Sequence, residues 1–178
     1  MSSSETASPQ EVAAALFAAL NARDLDAVAA LQHDDVFDHF VVIGDYRGKP
    51  AVRAFFEELF GALPDGRLDV VRITGDAEYA TVQWRATGRF TGAPFQGVHA
   101  TGRPIDLEGA DVMHIVDGRL KDNTIYYDGL KFARQIGLLP TEQTLADKAL
   151  MGGFNLKTDA ASGVASLLSR AKTGARST

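Results

Sequence analysis

The sequence predicts an α+β domain in which N-terminal helices pack against an antiparallel sheet. Apolar residues recur at helical spacing over residues 10–62 and then alternate with polar residues from Arg67 onward. Asp117-Gly118, between two alternating segments, is a typical β-hairpin turn. Helices that precede a run of strands favour this class over a doubly wound parallel sheet.

Three helices are predicted before Pro64. The first begins at Pro9, because the first helical turn does not need the N–H that proline lacks. Asp24 is the predicted N-cap of a short second helix, and a third helix follows the break at residues 48–50. Their apolar stripes are Val12, Leu16, Phe17 and Leu20, then Leu25, Val28 and Leu31, then Val52, Phe55, Phe56, Leu59 and Phe60. The turn at residues 64–66 ends this helical part.

Four strands are predicted to follow the helices. They cover residues 68–73, 79–90, 105–116 and 120–128, with a Gly-rich connection between the second and the third. In the second strand, apolar Ala80, Val82, Trp84 and Ala86 alternate with polar residues. This period of two predicts a sheet with one apolar and one polar face.

The segment after Pro140 is predicted to be a helical extension. A helix is expected over residues 141–150, ended by Gly152-Gly153, and a shorter one over residues 164–171. The predicted organisation is therefore a disordered Ser-rich tail (1–8), one main domain (9–140) and a helical C-terminal extension (141–178). The extension either packs on the domain or on a partner subunit, or forms a lid.

Composition narrows the possible functions. A chain of 178 residues with 46% hydrophobic content is sufficient for one domain, and a net charge of −5 disfavours binding to nucleic acid and to anionic membranes. Without cysteine, disulfides, thiolate catalysis and Cys-based zinc sites are excluded. No basic residue precedes Arg23, and the apolar run from Val12 to Leu20 is shorter than the span of about 20 residues that a membrane needs. We therefore expect a cytoplasmic protein.

Several short motifs occur in a characteristic order between Gly88 and Pro140. They are Gly97-Val98-His99-Ala100-Thr101-Gly102-Arg103, the Asp117-Gly118 hairpin, Tyr127-Asp128, and Arg134-Gln135-Ile136-Gly137-Leu138-Leu139. This order resembles the C-terminal half of the SnoaL-like polyketide cyclases, within the wider nuclear transport factor two-like superfamily. The resemblance extends over about residues 10–140. It implies a cone-shaped fold in which a strongly curved antiparallel sheet surrounds one deep pocket.

The resemblance implies that Asp128 is a catalytic general acid or base. Asp128 follows Tyr126-Tyr127, and aromatic neighbours that exclude water suit a carboxylate that abstracts a proton. The alternative is a structural role, because Asp128 also precedes a predicted helix, where an aspartate commonly acts as N-cap.

The resemblance also implies a catalytic role for His114, which lies fourteen residues before Asp128. Histidine can hydrogen-bond an enolate oxygen, although a core histidine bonded to a backbone carbonyl is the alternative. A two-residue turn at Asp117-Gly118 places His114 and Asp128 on opposite faces of the hairpin. A three-residue turn, or a later bulge, places them on one face.

Four further residues are predicted to bind substrate: Phe37, His39, Trp84 and Tyr126. The run from His33 to His39 resembles the family segment that enters the pocket after the second helix, and Trp84 is expected in the core or in a pocket wall. A metal site at His33, His39 and the neighbouring carboxylates is an alternative, but no pair of histidines at helical spacing supports it. Asp34 and Asp35 are expected to end a helix in solvent.

Together, these features predict a cofactor-independent acid–base enzyme of the SnoaL-like type, a cyclase or isomerase acting on a hydrophobic, carbonyl-containing small molecule. Asp128 would move a proton next to the carbonyl while His114 stabilises the oxyanion, without a metal or redox cofactor. We also expect a homodimer, paired through the outer sheet face that carries Gln83 and Arg85. The alternative is a non-catalytic small-molecule binding or dimerisation module of the same fold.

Overall fold

The computed structural model describes residues 7–158 of the chain. The chain divides into two compact units, Met1–Leu138 and Leu139–Thr178. The first unit contains, in chain order, α1 (Pro9–Ala22), α2 (Leu25–Ala30), β1 (Gln32–Phe40), β2 (Gly44–Arg47), α3 (Lys49–Ala62), β3 (Arg67–Gly75), β4 (Tyr79–Arg89), β5 (Pro104–Val116), β6 (Arg119–Tyr127) and α4 (Gly129–Gln135). The predicted α+β class is confirmed.

The second unit is helical over residues 145–158. This helix continues through Gly152 and Gly153, where the sequence predicted its end. The predicted helix over residues 164–171 and most of the predicted N-terminal tail lie outside the described residues. Among residues 7–158, no helix is long and apolar enough to cross a membrane.

The N-terminal helices begin and end as the sequence indicates. Ser8 and Glu11 form a capping box at the start of α1, in which the Glu11 carboxylate accepts the Ser8 backbone N–H at 2.8 Å. Asp24 caps α2 by accepting the Ala27 backbone N–H at 2.9 Å. Arg23, in the left-handed conformation at the end of α1, donates to the carbonyls at the end of α3. These bonds fix the two long helices together at one end.

The six strands form one open, curved sheet with the order β2-β1-β6-β5-β4-β3. Neighbouring strands are antiparallel except β1 and β6, which run parallel. Strands β3 to β6 are the four that were predicted. Strands β1 and β2 correct the prediction that only helices precede residue 67. Asp34 and Asp35 accordingly lie in a strand and do not end a helix.

The β5–β6 hairpin combines a tight turn with a bulge. Asp117 and Gly118 have φ angles of 48° and 69°, so the turn has two residues and Val116 pairs with Arg119. The register then shifts, because Ile115 pairs with Leu120 whereas His114 pairs with Asp122. One extra residue is thereby accommodated on β6, which is the bulge that the sequence analysis considered.

The core lies between the helices and the inner face of the sheet. Helix α1 packs against β3 and β4, and α3 packs against β1 and β2. The most deeply buried large side chains are Val12, Val36, Val52, Val82 and Phe90. The helices and the curved sheet therefore enclose the space in which a small molecule can be bound.

Candidate functional site

A cavity of about 140 Å³ lies between the helices and the inner face of the sheet. Its wall is mainly apolar and aromatic, and includes Phe17, Leu20, Phe56, Leu107, Met113 and Ile125. Phe95, from the connection between β4 and β5, lines the cavity as well. An apolar cavity with a few converging polar groups is typical of small-molecule sites.

The polar groups of the cavity form a row across four neighbouring strands. The row consists of Asp38 on β1, Asn123 on β6, Asp111 on β5 and Trp84 on β4, and all four side chains line the cavity. Asp38 and Asn123 are register partners in the parallel pair of strands. We call these four residues the polar row.

Asp111 accepts hydrogen bonds from both of its neighbours in the row. The Trp84 indole Nε1 donates to Asp111 Oδ1 at 2.7 Å, and Asn123 Nδ2 donates to Asp111 Oδ2 at 3.1 Å. Each carboxylate oxygen thus has one donor. Two donors favour the ionised form of a buried carboxyl group.

Gly109 provides the space in which the indole of Trp84 lies. A Cβ atom at Gly109 would lie 2.3 Å from Trp84 Cζ2 and 2.5 Å from the carbonyl oxygen of Tyr126. Only glycine fits such a close approach between a backbone and an aromatic ring. The indole can therefore lie against β5 and extend its N–H to Asp111.

Burial gives the two aspartates of the row different pKa values. Burial, and then the charge of Asp111, raise the pKa of Asp38 to about 8. Burial also raises the pKa of Asp111, to about 6, although the hydrogen bonds from Trp84 and Asn123 act against this rise. At neutral pH, Asp111 is therefore largely ionised and Asp38 largely protonated.

Tyr127 adds a hydroxyl group to the same cavity. Its ring packs edge-on against Phe132, with ring centroids 5.9 Å apart. Burial, and then the charge of Tyr46, raises the pKa of Tyr127, so the hydroxyl keeps its proton. The site thus combines one ionised carboxylate with two neutral groups that can donate hydrogen bonds.

A family model of the SnoaL-like polyketide cyclases matches residues 10–136, which make up most of the chain. This protein belongs to the SnoaL-like polyketide cyclase family. The family and the fold support a small-molecule role of the cyclase or isomerase type. The matched residues include every element that carries the polar row.

Solved structures share the fold of this SnoaL-like chain. A protein from Jannaschia sp. CCS1, assigned as a SnoaL-like polyketide cyclase, is 24% identical with a TM-score of 0.67, and the match covers 76% of this chain and 99% of that one. IdmH from Streptomyces antibioticus, assigned as a polyketide cyclase, is 23% identical with a TM-score of 0.62. The match covers 72% of this chain and 98% of IdmH. A protein from Catenulispora acidiphila with a ketosteroid isomerase-like fold is 17% identical with a TM-score of 0.61, and the match covers 74% of this chain and 95% of that one. No curated protein matches the chain.

The two residues that the sequence analysis proposed as catalytic lie outside the cavity of this SnoaL-like domain. Asp128 is the N-cap of α4, and its Oδ1 accepts the Lys131 backbone N–H at 2.9 Å. His114 lies on the outer face of the sheet, where it stacks on Tyr79 and its Nδ1 is 3.2 Å from Asp122 Oδ2. The expected bulge is present, but it pairs His114 with Asp122 on the outer face.

Of the four residues predicted to bind substrate, the structure places only Trp84 at the cavity. Phe37 lies under the Arg47 guanidinium on the outer face, with 3.9 Å between that group and the ring centroid. His39 bonds to Asp45 on the same face at 2.6 Å, and Tyr126 is 51% exposed. Each of these three residues is adjacent in sequence to one that lines the cavity, since neighbouring residues of a strand point to opposite faces.

The histidines considered as metal ligands are also apart from each other. The ring Nε2 of His33 lies 2.8 Å from the carbonyl oxygen of Val116, whereas His39 bonds to Asp45. Within residues 7–158, no three His, Asp or Glu side chains converge as a metal site would require.

Four cavity residues were not predicted from the sequence as part of the site: Asp38, Asp111, Asn123 and Tyr127. For Asp111 a signal was present in the sequence. Asp111 shares strand parity with the apolar residues Leu107, Met113 and Ile115. The alternation along β5 therefore indicates a charged side chain on the buried face. A buried carboxyl group of this kind indicates a functional site.

Proposed function

We propose that this protein is a cofactor-independent acid–base enzyme, a cyclase or isomerase that acts on a hydrophobic small molecule containing a carbonyl group. The main support is the pair of buried carboxyl groups, Asp38 and Asp111, which line one apolar cavity and differ in pKa. Two carboxyl groups held in different protonation states can act as base and acid at the same pH.

Asp111 is the proposed base. Its carboxylate takes a proton from a carbon next to the carbonyl group, and the electron pair of the broken C–H bond moves onto the carbonyl oxygen. Trp84 and Asn123 hold this carboxylate in place through their hydrogen bonds. A base inside an apolar cavity is also less hydrated, so less water must be displaced before proton transfer.

Asp38 is the proposed partner of the developing oxyanion. As a protonated carboxyl group, Asp38 donates a hydrogen bond to the carbonyl oxygen as that oxygen becomes negative. In an isomerisation, Asp111 returns the proton to another carbon. In an aldol closure, the enolate carbon bonds to a second carbonyl carbon of the same molecule, and the new alkoxide takes the proton from Asp111.

This assignment moves the chemistry from Asp128 and His114 to the polar row. The roles of those two residues rest on the family resemblance alone. Asp128 is used as a helix cap, and the sheet separates His114 from the cavity. No metal or redox cofactor is needed, because the carbonyl group already acidifies the neighbouring C–H bond.

Deuterium exchange at the carbon next to a carbonyl group tests the proposal. The probe is 2-tetralone in deuterated buffer, followed by proton NMR with and without the protein. We expect the protein to accelerate exchange and the Asp111→Asn variant to lose at least about 100-fold of that rate. The control is Asp26→Asn, which alters a carboxylate whose side chain is 89% exposed. Tight binding without any accelerated exchange would instead favour a non-catalytic binding module.

We also propose that two copies pair through the outer face of the sheet. Val112 and Tyr126 are exposed there, at 37% and 51%, beside Gln83 and the ion pair between Arg85 and Asp106. An exposed apolar patch with a polar rim suits a protein interface. Light scattering should report a dimer that Tyr126→Glu disrupts, and a wild-type monomer at micromolar concentration would contradict this pairing.

A further inference from the structure

Three buried polar atoms of residues that line the cavity have no hydrogen-bond partner among the described residues. They are Asp38 Oδ1, Asn123 Oδ1 and the hydroxyl oxygen of Tyr127, and all three residues line the cavity. A buried polar atom without a partner costs free energy, and such atoms in native proteins are rare enough to require an explanation. A ligand that bonds to all three atoms would remove this cost.

Asn123 has an unpaired acceptor that a ligand can use. Its Nδ2 donates to Asp111 Oδ2 at 3.1 Å. Because a carboxylate oxygen only accepts hydrogen bonds, the amide nitrogen must face Asp111, and this fixes the amide orientation. The carbonyl Oδ1 of Asn123 is left unpaired. The ligand must therefore supply a donor at this position.

Asp38 and Tyr127 impose the opposite requirement. The carboxyl of Asp38, which its raised pKa keeps protonated, and the phenol of Tyr127 each carry an O–H group. Both residues line the cavity, and each has a buried oxygen atom without a partner. An O–H donor in an apolar wall requires an acceptor on the ligand, and a carbonyl oxygen provides one. The site thus accepts from the ligand at one point and donates to it at another.

The spacing of the two points follows from the sheet. Asp38 and Asn123 are register partners on adjacent strands. Adjacent strands lie about 4.8 Å apart, so both groups can bond to one small molecule only if its donor and acceptor are close together. The remaining surface of the ligand faces the apolar wall.

We propose that the substrate is a hydroxy-carbonyl compound, in which a hydroxyl group donates to Asn123 Oδ1 and a nearby carbonyl oxygen accepts from Asp38. Asn123 is then the residue that determines specificity for the hydroxyl group. The carbonyl group of this compound rests on the proposed function, whereas its hydroxyl group follows from the unpaired Oδ1 of Asn123.

Three matched ketones test this inference: 2-tetralone, 8-hydroxy-2-tetralone, whose hydroxyl is near the carbonyl, and 6-hydroxy-2-tetralone, whose hydroxyl is distant. Trp84, the one tryptophan of the chain, lines the cavity, so its fluorescence reports binding. We expect the 8-hydroxy compound to bind at least about 10-fold more tightly than 2-tetralone, and the 6-hydroxy compound to show no such gain. Equal affinities for all three would overturn the inference.

The Asn123→Leu variant should bind 2-tetralone and the 8-hydroxy compound with affinities within about 2-fold of each other, because leucine keeps the size but removes the acceptor. The Asp26→Asn control should keep the wild-type preference. Should Asn123→Leu fail to fold, 8-methoxy-2-tetralone provides the same test on the wild-type protein, since a methoxy group cannot donate. A methoxy compound that binds as tightly as the hydroxy compound would overturn the inference.

The outcomes separate this inference from the proposed function. Exchange that depends on Asp111 without a preference for the 8-hydroxy compound would overturn the inference and retain the enzyme. A preference that Asn123→Leu abolishes, without exchange that depends on Asp111, would support the hydroxyl site and remove the proposed catalysis.

Discussion

The indole of Trp84 lies across the backbone of Gly109, its register partner on β5. The absence of a side chain at Gly109 therefore determines where the Trp84 N–H points. That N–H is one of the two donors to Asp111. A backbone position on one strand thus helps to place a hydrogen-bond donor against a carboxylate two residues away.

Gly109→Ala should break the hydrogen bond from Trp84 to Asp111 and so raise the pKa of Asp111. The added Cβ would lie 2.3 Å from the indole, so the ring must move and the hydrogen bond that lowers the pKa of Asp111 is lost. We expect the acidic limb of the exchange rate to shift to higher pH in Gly109→Ala and also in Trp84→Phe. Adding Gly109→Ala to Trp84→Phe should shift the limb little further. Two fully additive shifts would contradict a common cause.

The exchange rate should depend on pH as a bell-shaped curve. It should rise as Asp111 ionises, with an apparent pKa of about 6, and fall as Asp38 ionises, with an apparent pKa of about 8. Asp38→Asn still donates a hydrogen bond but does not titrate, so it should lower the rate and remove the falling limb. A falling limb that persists in Asp38→Asn would assign it to another group.

Asp38 should also make the free energy of unfolding depend on pH. Folding raises the pKa of Asp38, so below about pH 8 the folded state binds more protons than the unfolded state does. The free energy of unfolding therefore falls as pH rises toward about 8. From about pH 5 to about pH 9, Asp38→Asn should gain at least about 1 kcal/mol relative to the wild type, since one pKa unit corresponds to about 1.4 kcal/mol. Urea denaturation measures this difference, and Asp26→Asn should show no comparable trend.

Variants of Asp128 distinguish a helix cap from a catalytic acid. Asparagine also caps helices, so Asp128→Asn should retain both stability and exchange activity. Asp128→Ala should lose about 1 kcal/mol of stability while its exchange rate remains close to that of the wild type. A loss of about 100-fold in the exchange rate of Asp128→Asn would restore the role that the family resemblance implied.

The sequence predicted most of the fold because periodicity is a local signal. The stripe of α1 and the alternation in β4 depend only on which side chains are buried along one segment. Strand β1 was missed because Asp38 takes a buried position between Val36 and Phe40 and interrupts the apolar alternation. Asp38, which makes this strand hard to predict, is also a member of the candidate site.

The site was harder to predict because it depends on pairing between distant segments. No local pattern indicates that β1 pairs with β6 or that Asp38 is the register partner of Asn123. The choice of His114 followed the family resemblance, although its neighbours Met113 and Ile115 point inward and so place His114 on the outer face of β5. Strand parity alone would have indicated Asp111, whose inward position on β5 follows from its apolar neighbours.

The parallel pairing of β1 with β6 also has a consequence for the order of folding. Strands β3 to β6 form a meander of neighbouring hairpins, whereas β1 must close a long loop before it can pair with β6. Pairing between distant segments is slow, because the entropy of loop closure is lost before any contact compensates for it. If the meander forms first, Asp38 is still in water at that stage, and its uptake of a proton then accompanies the docking of β1.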